Sequence, residues 1–355
     1  AVADNTLTLD GASDVDGVIT ISTGTVDAND IFDATGGFVT FTDDGNLNLS
    51  STVASLGTLS ITNGTVTYDG VNQAVFSDEY YSLTAGGGSG TKTLGGDVTV
   101  AGDFTVDTLV TTAMGGNNLT VTNATDIDGI ITISTGTVDA NGTFDATDGT
   151  ITFSDAGNLT LDSTVTSLGT LSTTNGTVTY DGVDQTVFSD EYYSLTAGGG
   201  SGTKTLGGDV TVSGDFTVDT LVTTAMGGNN LTVTNATDID GTLAVAGDTL
   251  TLDGASDIDG TITISTGTVD ANGVFDATNG TITFSGVGDL TLFSMVTSLG
   301  TLSTTNGTVI YDGVNQTIFS DDYYSLTAGG GSGTKTLGGA VTVANDLVIN
   351  AGVTV

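Results

Sequence analysis

Short runs of alternating apolar and polar residues fill this chain from one end to the other. "TLTLDG" (6–11), "VITIS" (18–22), "GTVTYDG" (64–70) and "DVTVAGDFTV" (97–106) are typical. Side chains on a strand point to opposite faces in turn, so a period of two bounded by Gly, Asn and Asp predicts strands joined by turns. No stretch carries a helical period. The predicted class is all-β.

The runs also recur at long range. "GTVTYDGVNQAVFSDEYY" (64–81) returns as "GTVTYDGVDQTVFSDEYY" (176–193) and as "GTVIYDGVNQTIFSDDYY" (307–324). The first two copies lie 112 residues apart, and the third lies 19 further than that spacing predicts. The surplus is a local duplication, because "NNLTVTNATDIDG" (229–241) is followed by "DTLTLDGASDIDG" (248–260). A β-sandwich cannot absorb an extra strand–turn–strand unit without breaking its pairing. A solenoid can, because each coil touches only its neighbours. The expected architecture is therefore a parallel β-solenoid with about 19 residues per coil and about six coils per 112-residue repeat. Residues 1–112, 113–224 and 225–355 form its three repeats, the last with one extra coil, all in one continuous solenoid. Leu231, Leu250, Val269, Leu290 and Val309 mark the phase.

Comparing the copies shows which side faces in. Ile19 and Ile21 stay isoleucine at 131, 133, 262 and 264, whereas Val18 becomes Ile130 and Thr261. Phe32, Phe144 and Phe275 persist, as do Phe41, Phe153 and Phe284. Constant apolar positions alternating with tolerant ones are what a pleated wall around a narrow core requires.

Charge narrows the chemistry. The chain holds 42 acidic residues and three lysines, for a net charge of −39, and lacks Arg, His, Cys, Pro and Trp. Nucleophilic triads, the usual zinc sites and arginine clamps for phosphate are excluded. Nucleic acid is not an expected partner, since phosphate must be met by cations. Neither membrane insertion nor an anionic membrane surface is expected. A stack of about 19 coils would be a rod on the order of 90 Å long with roughly one net charge per 2.3 Å, close to the linear charge of duplex DNA. Such a rod carries cations.

Two motifs are candidate sites. Lys92, Lys204 and Lys335 recur in "GTKTLGG". Thr rather than Gly precedes each lysine and a strand rather than a helix follows, so this is no phosphate loop. Lys92 shares parity with Leu94, so as a structural pin it points toward the core or sits at a corner. An ammonium there needs an acidic partner, so a Lys–carboxylate pair is expected in each repeat, with a covalent Lys–Asn or Lys–Asp link as a sharper alternative. The second motif is "DVDG/DIDG": Asp14 and Asp16, Asp126 and Asp128, Asp238 and Asp240, Asp257 and Asp259. Pairs 19 residues apart would stack roughly 5 Å from each other, and oxygen-only ligands suit Ca2+, while a solvated acidic turn is the plain alternative. "VDAN" (Asp27 and Asn29, Asp139 and Asn141, Asp270 and Asn272) offers weaker oxygen ladders. Outward Thr pairs as in "TITI" suggest ice binding, although their positions fall in differing phases along the chain.

"YYSLTAGGGSGTKTLGGDVTVAGDFTV" (80–106) resembles repeats of large secreted bacterial surface proteins, the haemagglutinin-like adhesins and autotransporter-type β-helix passengers. That resemblance implies export, an extracellular or cell-surface address, and a role in adhesion or matrix structure. Every copy looks alike and none carries chemistry of its own, so the expected function is non-enzymatic. Ala1 aligns with Ala113 and Ala225, and Val355 falls one residue short of the same phase. A second copy docked end to end would continue the coils, and the expected product is a fibre built by head-to-tail self-association. The alternatives are a longer chain of the same repeats, a stalk binding host or carbohydrate surfaces, and an ice-binding solenoid.

Overall fold

The computed structural model describes residues 1–355, all of them in strands, turns and connecting loops. No helix is present, hence none long and apolar enough to cross a membrane. Contacts divide the chain into two compact units, Ala1–Thr177 and Val178–Val355, with the division falling inside the second repeat.

In the first unit, strand Thr6–Leu9 pairs in parallel with Thr25–Ala28, which pairs with Asn46–Leu49, which pairs with Thr65–Tyr68. Each strand thus meets the third strand after it, so one turn holds three strands and the wall has three faces. The second unit follows the same rule: Gly202–Leu206 pairs with Val222–Ala225, then Thr242–Val245, Thr261–Ile264 and Thr281–Phe284. The fold is a parallel β-solenoid, as the pattern predicted.

The phases predicted for the core are correct. Ile21, Ile131, Ile133, Ile262 and Ile264 are buried, as are Phe32, Phe144, Phe275, Phe41, Phe153 and Phe284. Val18 is 64 % exposed and Ile130 39 %. The duplicated segment is one full turn, because Leu231 lies against Leu250, Thr237 against Ser256 and Thr242 against Thr261.

Coil size departs from the expectation. There are about 17 turns of about 20 residues rather than about 19 coils of 19. Successive partners in the first unit lie nineteen, twenty-one, nineteen, seventeen and twenty-one residues apart, because both the strands, of two to five residues, and the corner loops between them vary in length. The 112-residue repeat falls a third of a turn short of six coils. Thr25–Ala28 and its counterpart Thr137–Ala140 are seventeen strands apart, which is five and two-thirds turns. Val26 therefore sits in the ladder of Leu7 and Leu47, whereas Val138 sits in a different ladder with Leu119 and Leu159. In the second unit, Lys204 and Lys335 likewise occupy different sheets. Successive copies of the repeat are rotated by one face.

Candidate functional site

Two of the three ladders are interrupted once in each unit, and the motif repeated at 64–81 and 307–324 gathers there. In the first unit no pairing joins Val53–Ser55 to Gln73–Val75, or Thr58–Leu59 to Glu79–Tyr80. In the second, the same gaps separate Val296–Ser298 from Gln316–Ile318 and Thr301–Leu302 from Asp322–Tyr323. The third face stays continuous, but its turn from Thr65 to Ser82 takes only seventeen residues.

Side chains bridge what the backbone leaves open. Gln73 accepts from Gly70 N at 3.1 Å and donates through Nε2 to Leu49 O at 2.9 Å and to Ser51 O. Gln316 does the same for Gly313, Leu292 and Ser294, at 3.0, 2.9 and 2.6 Å. Inside, Tyr68 and Tyr80 meet edge to face with ring centroids 6.4 Å apart and hydroxyls 2.9 Å apart. Tyr80 donates to Phe76 O at 2.6 Å and Phe76 N donates to Tyr68 at 3.0 Å, which leaves the Tyr68 proton for the Tyr80 oxygen. Burial pushes both hydroxyls above their ordinary range, and that of Tyr311, in the third copy, up to about 12.

The lysines complete this cluster. Lys92 and Lys204 are 0 % exposed and Lys335 is 1 % exposed, so of the core and corner positions that parity allowed they take the core. Lys92 lies against Gln73 in register, and its ammonium donates to Gly70 O, one coil below. Lys204 donates to Gly182 O and Lys335 to Gly313 O. For Lys92 and Lys335 the expected carboxylate contact is replaced by a hydrogen bond to a main-chain carbonyl. The reason is geometric, since Asp69 and Asp107 flank Lys92 from corners and act only through their field. Burial pulls the Lys92 pKa down, and the two carboxylates oppose it. Lys335 is lowered in the same way, with Asp312 opposing. Gly90, which opens the lysine strand, has φ +99°, and a Cβ there would lie 1.6 Å from Val71 O. No other residue fits at that entry.

The aspartate pairs stack as predicted, and further. Asp238 lies against Asp257 and Asp257 against Asp276; Asp126 lies against Asp145, and Asp14 against Asp33. Burial, then neighbouring carboxylates, raise the pKa of Asp126, Asp238 and Asp257. Asp16, Asp128, Asp240 and Asp259 sit two residues on, at the corners. These groups stack along a ladder, and no cluster of three or more acidic side chains is present. The "VDAN" positions are not oxygen-only ladders. Asn48 donates to Asp27 at 2.7 Å, Asn29 to Asp10 at 2.9 Å and Asn272 to Asp253 at 2.7 Å, so an amide from one coil caps a carboxylate of the next.

Gln73, Gln185, Gln316 and the tyrosine pairs were not singled out by sequence reasoning. A signal existed: a glutamine in an inward phase, repeated in all three copies, is a buried polar group that must be bonded. No protein-family description, no curated protein and no solved structure matches this chain, so its function is argued from these residues alone.

Proposed function

We propose that the chain is a non-enzymatic structural element of an extracellular or cell-surface fibre. Its ladders would be continued by further coils, whether from the same polypeptide or from a second copy. The observation that carries this reading is where the repeated chemistry points. The lysines, the tyrosine pairs and the glutamines face inward and tie coil to coil, and the outer Asn–Asp contacts do the same across the corners. Side chains spent in this way support load along the stack rather than turnover of a substrate. Negative-stain electron microscopy of the purified chain is expected to show threads many subunits long, and a field of separate short particles would overturn the reading.

A second reading, ice binding, is favoured by one observation. Thr203, Thr223, Thr242, Thr261, Thr281 and Thr301 lie in one outward column of a single ladder in the second unit. Beside it runs a column of Thr205, Ala225, Ala244, Thr263 and Thr283. The expectation of scattered phases is thereby corrected: unequal turn lengths hide in the sequence an alignment that the ladder restores. Both columns lack charge on a chain of −39, with coils about 4.8 Å apart and the two columns roughly 6.6 Å apart. β-Branched threonine holds its hydroxyl and methyl in fixed directions, which suits an ordered lattice. Thermal hysteresis is expected under this reading, and lost in Thr261→Lys. Freezing without hysteresis in the wild-type chain removes it.

A further inference from the structure

The interrupted ladder in the second unit leaves a cleft of about 380 Å3 between Val296–Ser298 and Gln316–Ile318. Phe293, Ser294, Met295 and Val296 form its lower wall, and Asn315, Gln316 and Thr317 its upper wall. In these ladders an outward residue directs its N–H toward the coil below, as Phe38 N does to Gly17 O and Ser60 N to Val39 O. Thr317 is outward and exposed, so its N–H points into the cleft, where no strand meets it. An open strand edge of this kind is a template for a further strand.

The third copy has altered this place. Where the first copy has Ser50 and Thr52 and the second has Asp162 and Thr164, the third has Phe293 and Met295. Phe293 is 39 % exposed and Met295 62 %. The corresponding cleft of the first unit is about 220 Å3 and is lined by Ser50, Ser51, Thr52 and Val53 below. Two large apolar side chains have thus been placed in solvent at an open edge, only where the cleft is the wider of the two.

Charge restricts the occupant. The ladder beneath the cleft stacks Asp238, Asp257 and Asp276, and Asp276 lies in register with Ser298 at the lower lip. A second copy of this chain would bring its own −39 against that stripe. We propose that the cleft receives one extended segment of a partner polypeptide that carries Lys or Arg and is apolar at alternate positions. The segment adds as a strand along the edge at Thr317, sets its apolar side chains on Phe293 and Met295, and lays its cations over the aspartate stripe. The inference rests on the broken ladder and does not depend on the fibre reading.

The test uses the whole chain and fluorescein-labelled peptides of alternating Val and Lys, followed by anisotropy. The Val/Lys peptide is expected to bind, and a Val/Glu peptide not to. The double variant Phe293→Ser with Met295→Thr, which restores the first copy's residues and so keeps the fold, is expected to weaken binding at least about tenfold. Thr317→Pro, which removes the N–H, is expected to weaken it as well. Four results would each overturn the proposal: no binding to the wild-type chain, equal binding of the Val/Glu peptide, equal binding by the double variant, or displacement of the peptide by a neutral oligosaccharide. Equal binding by the double variant would mean general charge attraction, and sugar displacement would mark a carbohydrate groove.

Discussion

Replacing Lys92 with alanine is expected to destabilise the coils around the first ladder break by about 3–5 kcal/mol, while Lys92→Met costs less than about 1.5 kcal/mol. The side chain is 0 % exposed and fills the core beside Gln73. Alanine removes its whole length, opens a cavity and takes the only charged donor from Gly70 O. Methionine keeps the volume. It forfeits the hydrogen bond, but it also removes an ammonium whose burial is costly enough to pull its pKa down. A solenoid opens by segments rather than all at once, so the loss should be local. Hydrogen exchange is the suitable readout. Amides of Gln73–Val75 and Gly90–Leu94 should lose protection in the alanine variant and largely keep it in the methionine variant. If both variants exchange like the wild type, the lysine is not a pin. If both lose protection equally, the ammonium–carbonyl bond matters more than packing does.

How far the sequence could be read follows from which interactions are local. Alternation is local, so Ile21 and Phe32 could be placed in the core, while the parity of Lys92 with Leu94 left the core or a corner open and the structure places it in the core. The extra turn was legible because a duplication repeats every strand of one coil, corners included. The number of strands per turn was not legible, since three short strands and their corners leave the same period-two signal as any other division. Unequal corners then concealed both the rotation of successive repeats and the threonine columns. The ladder break was hidden for another reason. Gln73 bonds backbone 24 residues earlier, at Leu49, and nothing in the intervening sequence encodes that approach. The carboxylate partner expected for Lys92 fails because burial of an ammonium does not by itself require a counter-charge: a main-chain carbonyl one coil away accepts from it. In register with Lys92 stand the buried neutral groups Gln73 and Thr112, and the carboxylates of Asp69 and Asp107 stay at the corners.

The stability of the whole chain should rise as pH falls from neutral toward about 4, with the melting temperature highest on the acid side. Asp78, Asp107, Asp190, Asp219, Asp289 and Asp321 are raised by burial first, as are the stacked Asp126, Asp238 and Asp257. Between the unfolded value of 3.8 and each raised value, the native chain holds protons that the unfolded chain has released. Acidification through that window therefore favours folding. The gain is complete below 3.8, where both states are protonated. Asp33, whose hydrogen bonds to Thr35 lower its pKa, works in the opposite direction. On the alkaline side, the raised tyrosines keep their protons when the unfolded chain loses them above pH 10, so stability falls again there. Part of the acid-side gain reflects repulsion along a chain of −39, and that part should be reproduced at pH 7 by raising the salt concentration. Calorimetric melts across pH 4 to 8 at low and high salt separate the two contributions. A melting temperature that falls steadily with acid, at either salt concentration, would show that the carboxylates are held by partners that favour their charged form. The stacked aspartates would then be bonded in a way that the ladder described here does not provide.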